Sequence, residues 1–243
     1  MRIAVLSDIH ANLTALDAVL EALGSVDVIW TLGDIVGYGP DPDEVVARLV
    51  AAGAVGVRGN HDSAATTGDD IDWFNPDARR AIEWTRSTIA PVTREWLASL
   101  PPRLHEGPFG LVHGSFRDPL WEYVTQVPVA RASLAILTGE GRRWGLFGHT
   151  HLPSVFRDDD GRIEVIRPSA GSTLHLDDRP VLVNPGSVGQ PRDGIPTASY
   201  LVLDTDGDAA SWQRVAYDIP SVQARMASVE LPDRLIRRLD IGA

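Results

Sequence analysis

The chain has 243 residues, 44% of them hydrophobic, and a formal net charge of −11, enough apolar material for a substantial core in one α/β domain or two small ones. It has no cysteine, which excludes disulfides, thiolate nucleophiles and cysteine-bound zinc, and its 22 basic residues are all arginine, which excludes Schiff-base chemistry and a phosphate-loop lysine. No apolar run approaches the roughly 20 residues of a membrane span, the "MRIAVLSDIH" start lacks a cleavable signal pattern, and the acidic balance argues against a basic nucleic-acid surface while leaving a carboxylate-rich cation site open.

The first half alternates strand and helix. "RIAVLSD" reads as a buried strand, and "NLTALDAVLEALG" as an amphipathic helix stopped at Gly24. "VDVIWTLGD" is a second strand, and "PDEVVARLVAAG" a second helix with Pro42 near its start and Gly53 past its end. "AVGVRGN" is a third, short strand. This order predicts parallel connections under helical cover. A more polar insert, residues 63–103, carries Trp73, Trp84 and Trp96 and reads mainly as helix, its tryptophans assigned to the core or to an interface. "FGLVHGS" and "RWGLFGHTH" are strands separated by a helix near Val129 to Leu137. "SVFRDDDGRIEVIR" is a hairpin turning at "DDDG", "RPVLVNPGSVG" a strand running into a turn, and "ASYLVLDTDGDAASWQRVAYD" a second hairpin. The tail, residues 220–243, reads as short amphipathic helices. No repeat or low-complexity linker interrupts the chain, so residues 1–243 are expected to form one domain.

What ends each predicted strand carries the chemistry. The first ends in Asp8-Ile9-His10, the second in Gly33-Asp34, the third in Gly59-Asn60-His61-Asp62, the fourth in His113-Gly114 and the fifth in Gly148-His149-Thr150-His151. Five of the seven histidines lie at these ends, and ligands of open α/β sheets bind beyond the carboxyl ends of the strands. Neutral imidazole and carboxylate suit divalent first-row metals. Residues two apart on an extended segment point to one side, so Asp8 and His10 are expected to reach one ion together. Singly, each piece has a plainer reading: "DxH" as a strand-end helix cap, "GDxxG" as a turn, "GNHD" as an Asx-turn, "GHTH" as a structural pair. The ordered set at five successive strand ends does not.

The blocks "DIH", "GDIVGYGP", "GNHD", "VHG" and "GHTH" resemble the calcineurin-like metallophosphoesterase superfamily, and "NPGSVGQPRD" (residues 184–193) resembles its YfcE-type bacterial and archaeal phosphodiesterase branch. The resemblance implies a four-layer α/β/β/α sandwich of two facing mixed sheets with a dinuclear metal centre. It assigns Asp8, His10, Asp34 and His151 to one ion and Asp34, Asn60, His113 and His149 to the other, with Asp34 shared. The ions would be manganese first, or iron, zinc, nickel or cobalt, and a hydroxide held between them about 3.5–4 Å apart would attack phosphorus. His61 resembles the family's general acid, with Asp62 as its orienting partner.

One departure bears on substrate. Protein phosphatases of the superfamily read "GDxVDRG", whereas Gly37 and Tyr38 stand here where the Asp-Arg pair would be. Losing that cation weakens recognition of a phosphomonoester dianion. The expected activity is therefore hydrolysis of a small soluble phosphodiester, such as a cyclic nucleotide or a dinucleoside polyphosphate, in the cytoplasm. The alternatives are a phosphomonoesterase or protein phosphatase, and a noncatalytic metal-bound scaffold. The charge disfavours nucleic acid as a partner, no membrane partner is expected, and a homo-oligomer is left open. Tyr38 and Arg192 are expected to line the site, "NPGSVGQPRD" to wall it, and the 63–103 insert to cap it. His105 and His175 have no motif context and are assigned no catalytic role.

Overall fold

The computed structural model describes residues 1–243. In chain order its elements are β1 (Arg2–Leu6), α1 (Leu13–Leu23), β2 (Val28–Leu32), α2 (Pro42–Ala51), β3 (Val55–Val57), α3 (Asn60–Thr67), α4 (Pro76–Thr88) and α5 (Pro91–Ser99). There follow β4 (Arg103–Glu106), β5 (Phe109–Val112), α6 (Val127–Gly139), β6 (Trp144–Leu146), β7 (Ser154–Asp159), β8 (Arg162–Ile166) and β9 (Thr173–His175). The chain closes with β10 (Val181–Asn184), β11 (Ala198–Asp204), β12 (Ala209–Val215), α7 (Ile219–Ser228) and α8 (Asp233–Arg237). No helix is long and apolar enough to cross a membrane.

The strands form two six-stranded mixed sheets, ordered β3-β2-β1-β11-β12-β9 and β4-β5-β6-β10-β7-β8. Within the first, β1, β2 and β3 run parallel; within the second, β5, β6 and β10 do. Period-two alternation divides each strand between two cores. Ile3 and Val5 of β1 point between the sheets, where they meet Leu111, Val181 and Val183 of the second sheet. Ala4 and Leu6 point the other way, under α1 and α2 with Leu16, Val45 and Leu49. On the far side, α6 covers the second sheet through Leu134 and Leu137 against Phe156 and Leu182. The result is the α/β/β/α sandwich that the resemblance implied.

Local chemistry explains the element ends. Asn12 caps α1 by accepting from the Ala15 N–H, and Gly24 stops it at φ 61°. Residues 160 and 161, at φ 48° and 85°, make the Asp-Gly turn between β7 and β8. Two strands lacked a sequence signal, β4 and β9. They are edge strands of four and three residues with mostly exposed or half-buried side chains, too short and too polar for an alternation to stand out.

Beyond β12, α7 and α8 return to the first sheet's helices. Arg225 holds Asp41, just before α2, in a two-pronged ion pair at 3.0 and 2.9 Å, and also donates to the Thr14 hydroxyl. Val222, Leu235 and Leu239 pack against Tyr38.

Candidate metal centre

Because β1, β2 and β3 run parallel, and so do β5 and β6, their carboxyl ends meet at one edge of the sandwich. Asp8 and His10 follow β1, Asp34 follows β2, Asn60 opens α3 after β3, His113 follows β5, and His149 and His151 follow β6. All seven are buried. Asp8, His10, Asp34 and His151 bring ligand atoms within 4.8 Å of one another, as do Asp34, His113 and His149. Asn60 joins the second group, its Oδ1 lying 3.1 Å from His113 Nε2. Asp34 belongs to both groups, and the two histidines of "GHTH" divide between them.

The route to this geometry differs from the sequence expectation. Asp8 and His10 do not sit on extended backbone; their φ angles are 53° and 51°, and Asp34, His149 and His151 also lie in the left-handed region at 50°, 63° and 59°. That region costs an L-residue about 1–2 kcal/mol. Contacts between elements hold it: the Asp8 N–H donates to Gly33 O, the His10 N–H to Asp34 O, and the Gly148 N–H to His113 O.

Every imidazole of the set has one nitrogen on a backbone carbonyl. His10 Nδ1 lies 3.2 Å from Val36 O, His113 Nδ1 2.8 Å from Leu32 O, His149 Nε2 3.1 Å from Trp121 O, and His151 Nδ1 2.6 Å from Gln190 O. A carbonyl only accepts, so each of these nitrogens carries a proton, and the other nitrogen of each ring faces inward. The inward nitrogens crowd: His10 Nε2 and His151 Nε2 are 3.2 Å apart, His113 Nε2 and His149 Nδ1 3.0 Å. Burial keeps His10 and His151 both unprotonated, and two lone pairs cannot bond each other. The Asp8 Oδ1 atom, 3.3 Å from His151 Nε2, is buried with no hydrogen-bond partner. Ring nitrogens, carboxylates and an amide oxygen converging this closely, with a facing lone-pair contact and a partnerless carboxylate oxygen among them, make a candidate cation site.

The electrostatics divide the four rings three to one. Burial holds His10, His149 and His151 well below the usual histidine range, that is, unprotonated. His113 moves the other way: burial pulls it down, but Asp34 and Asp8 outweigh this and raise it to about 9. Burial raises Asp8 to about 7. A positive charge is wanted between these groups.

Asp62 is placed differently from its expectation. Its carboxylate is not spent on His61; it accepts the backbone N–H groups of Ile35 at 2.9 Å, Val36 at 3.1 Å and Gly59 at 2.9 Å. It thus ties the loop after β2 to the start of α3. Nothing orients His61 by a side-chain bond. Its Nδ1 is buried without a partner, and its ring lies 4.4 Å from Tyr38 and 4.7 Å from Phe74. Burial, and then Arg192, lower it to about 4.

A cleft opens over the set. Tyr38, His61 and Arg192 line it together with Asp34, His149 and His151. Arg192 donates to Gln190 Oε1 at 3.0 Å and stands over the Tyr38 ring at 5.9 Å. The segment 184–193 backs the site from beneath: Ser187 Oγ donates to Asp8 O, the Gly189 N–H donates to the same carbonyl, and Gln190 O holds His151. From the insert come Trp73, Phe74 and Asn75, and from the loop after β5 come Trp121 and Tyr123. Trp84 and Trp96 pack into apolar clusters, but Trp73 does not. It is 67% exposed on the rim, which rules out the core half of its assignment. Trp121 and Tyr123 carry no periodic or motif signal in "DPLWEYVTQ", and sequence reasoning missed them, as it missed the Gln190 and Trp121 carbonyls. His105 pairs with Glu140 at 3.1 Å on β4, and His175 lies on β9; neither reaches the cleft.

Histidine and carboxylate groups gathered beyond the carboxyl ends of two facing sheets define a candidate divalent-metal site, and the family match makes the class a metal-dependent phosphoester hydrolase. Residues 1–208 match the calcineurin-like phosphoesterase superfamily domain. Across 99% of this chain and 98% of its own length, the protein MJ0912 of Methanocaldococcus jannaschii is 36% identical. Phosphodiesterase YfcE of Escherichia coli is 28% identical over 85% of this chain and 89% of its own. A crystal structure of a metallophosphoesterase from Sphaerobacter thermophilus superposes with a TM-score of 0.90 at 40% identity, covering 100% of both chains. The protein PH1004 of Pyrococcus horikoshii shares the fold, with a TM-score of 0.79 at 22% identity over 100% of this chain and 98% of that one. The chain belongs to the calcineurin-like phosphoesterase superfamily, and its similarity to YfcE supports the YfcE-type branch.

Proposed function

We propose that this protein is a phosphodiesterase that binds two divalent ions, manganese first among them, and hydrolyses a small soluble phosphodiester in the cytoplasm. The observation that carries the reading is the facing lone-pair contact of His10 with His151 beside the partnerless Asp8 Oδ1, in a group that shares Asp34 with His113 and His149. Asp8, His10, Asp34 and His151 would hold one ion, and Asp34, Asn60, His113 and His149 the other. Ions so held would supply an activated water and neutralise charge on the phosphoryl oxygens. We read residues 1–243 as one domain whose 63–103 insert forms one lip of the cleft.

The chain's own residues supply the rest. Arg192 lines the cleft and offers one positive charge to a phosphoryl group. No second cation stands where Gly37 and Tyr38 replace an arginine. Gly37, at φ 85°, lies so close to His61 that a Cβ there would come within 2.4 Å of Nδ1. One guanidinium suits the single charge of a diester better than the dianion of a monoester. His61 faces the same cleft as a neutral ring. An anionic phosphoryl group beside it favours the imidazolium form, so His61 takes up its proton with substrate and passes it to the leaving oxygen.

The test is to strip the metals, restore manganese, and compare bis-p-nitrophenyl phosphate with p-nitrophenyl phosphate. The diester should turn over faster. Faster monoester hydrolysis would reverse the substrate assignment, and no turnover of either with metal bound would mean a noncatalytic scaffold.

A further inference from the structure

An unbroken run of aromatic rings leads from the candidate centre to solvent. His61 contacts Phe74 at 4.7 Å between centroids, Phe74 contacts Trp121 at 5.1 Å, and Trp121 contacts Trp73 at 5.2 Å. Exposure rises along it: His61 is buried, Phe74 and Trp121 are half-buried, and Trp73 is 67% exposed. The run is built across the mouth by two separate elements, the insert and the loop after β5. It is anchored in the centre itself, because Trp121 O holds His149 Nε2 at 3.1 Å and the Tyr123 ring stacks on His149 at 3.9 Å and 19°. Core packing explains Phe74. It does not explain an indole left mostly in water at the lip of a charged cleft.

We propose that this aromatic wall stacks the base of a nucleotide, and that the substrate is a nucleotide-containing phosphodiester. The inference rests on the diesterase reading for its phosphate end and adds recognition of the group that the phosphate carries. Flat π-faces select a flat ring. A nucleobase is favoured over a plain aryl group by the polar edge of the wall. Asn75 uses its Oδ1 to cap α4, accepting from the Ala78 N–H at 3.1 Å, and its amide NH₂ makes no bond within the protein while facing the cleft. Asp70 accepts from the Trp121 indole N–H at 3.2 Å, which fixes the orientation of that ring. An aromatic face with a free amide at its rim is suited to a heterocycle that stacks and hydrogen-bonds.

The manganese-loaded protein is titrated with AMP and with ribose 5-phosphate, which share the sugar and the phosphate and differ only in the base. Calorimetry or tryptophan fluorescence reads binding without turnover. AMP should bind about tenfold or more tightly than ribose 5-phosphate and quench tryptophan emission. In Trp73→Ala and Trp121→Ala the gap should close by loss of AMP affinity, with ribose 5-phosphate unmoved, and Trp73→Phe should restore part of it. Trp73 is exposed, so its variant tests the wall without disturbing the core. Equal affinity for the two probes, or a gap that survives in both alanine variants, overturns the proposal. Hydrolysis of bis-p-nitrophenyl phosphate is measured in parallel. Its absence alongside an intact AMP preference would sink the diesterase reading and leave the base site standing.

Discussion

The Asp62 carboxylate accepts the backbone N–H of Ile35 at 2.9 Å, one residue beyond Asp34, which both candidate metal groups share. With its bonds to Val36 and Gly59, it fixes two ligand-bearing loops against each other. Asp62→Ala would leave three buried amides unsatisfied. It should lower stability by about 3 kcal/mol or more, measured by urea unfolding, and weaken metal binding as well. A full metal complement and wild-type stability in this variant would refute the positioning role.

Gly59 abuts the same carboxylate that both groups share. A Cβ there would come within 2.1 Å of Asp34 Oδ1. Gly59→Ala should therefore displace Asp34 and cut metal affinity about 10–100-fold, read by metal content after dialysis against a graded chelator. Unchanged affinity would mean that Asp34 does not need the position it holds.

His61→Ala separates acid catalysis from simple packing. Diesters with a poor leaving group should slow more than p-nitrophenyl esters, because only the former need a proton in the transition state. Equal slowing across a leaving-group series would argue for a structural role.

Without metal, stability should peak near pH 6.5. His10, His61, His149 and His151 are all depressed in the fold, His61 to about 4. The unfolded chain takes protons below 6.5 that the folded chain refuses, so stability falls as pH drops from about 6.5 toward 4. His113 is raised to about 9 and favours the fold while protonated, a contribution lost as pH climbs from about 6.5 to 9. Asp8, raised to about 7, likewise favours the fold while protonated and partly offsets the acid-side loss. Melting temperatures of chelator-treated protein across pH 4–9 check this; a curve still rising at pH 9 would contradict it.

The tail contributes through Arg225. Removing its two-pronged hold on Asp41 with Arg225→Ala should cost about 1–2 kcal/mol, discounted for the partial exposure of the guanidinium. Since α7 and α8 pack on Tyr38, the variant should also loosen Tyr38 against His10 and His61, visible as broadened histidine ring resonances. Sharp resonances in a destabilised variant would confine the tail to stability.

The sequence by itself determined the layered αβ order and which strand ends bear chemistry. Buried strands, caps and turns are local effects, and glycines, histidines and carboxylates recur just past each strand. It also carried the split of His149 and His151 between two groups, although only through family resemblance. The reason it offered for Asp8 meeting His10, extended backbone, was wrong. Both residues are left-handed, held so by N–H groups that donate to Gly33 O and Asp34 O. The remaining choices were tertiary because they rest on partners distant in the chain. His113 takes its tautomer from Leu32, and His151 from Gln190. Asp62 turned to three amides rather than to its neighbour, since unpaired buried N–H groups cost more than an unpaired ring nitrogen beside a cleft. Trp73, one of three similar tryptophans in the insert, stands on the rim of the cleft, where its one aromatic neighbour, Trp121, comes from a loop 48 residues further along the chain. Spacing along a chain fixes which side chains can be neighbours within a turn; which donor finds which acceptor across 30 to 80 residues is settled only when the sheets close.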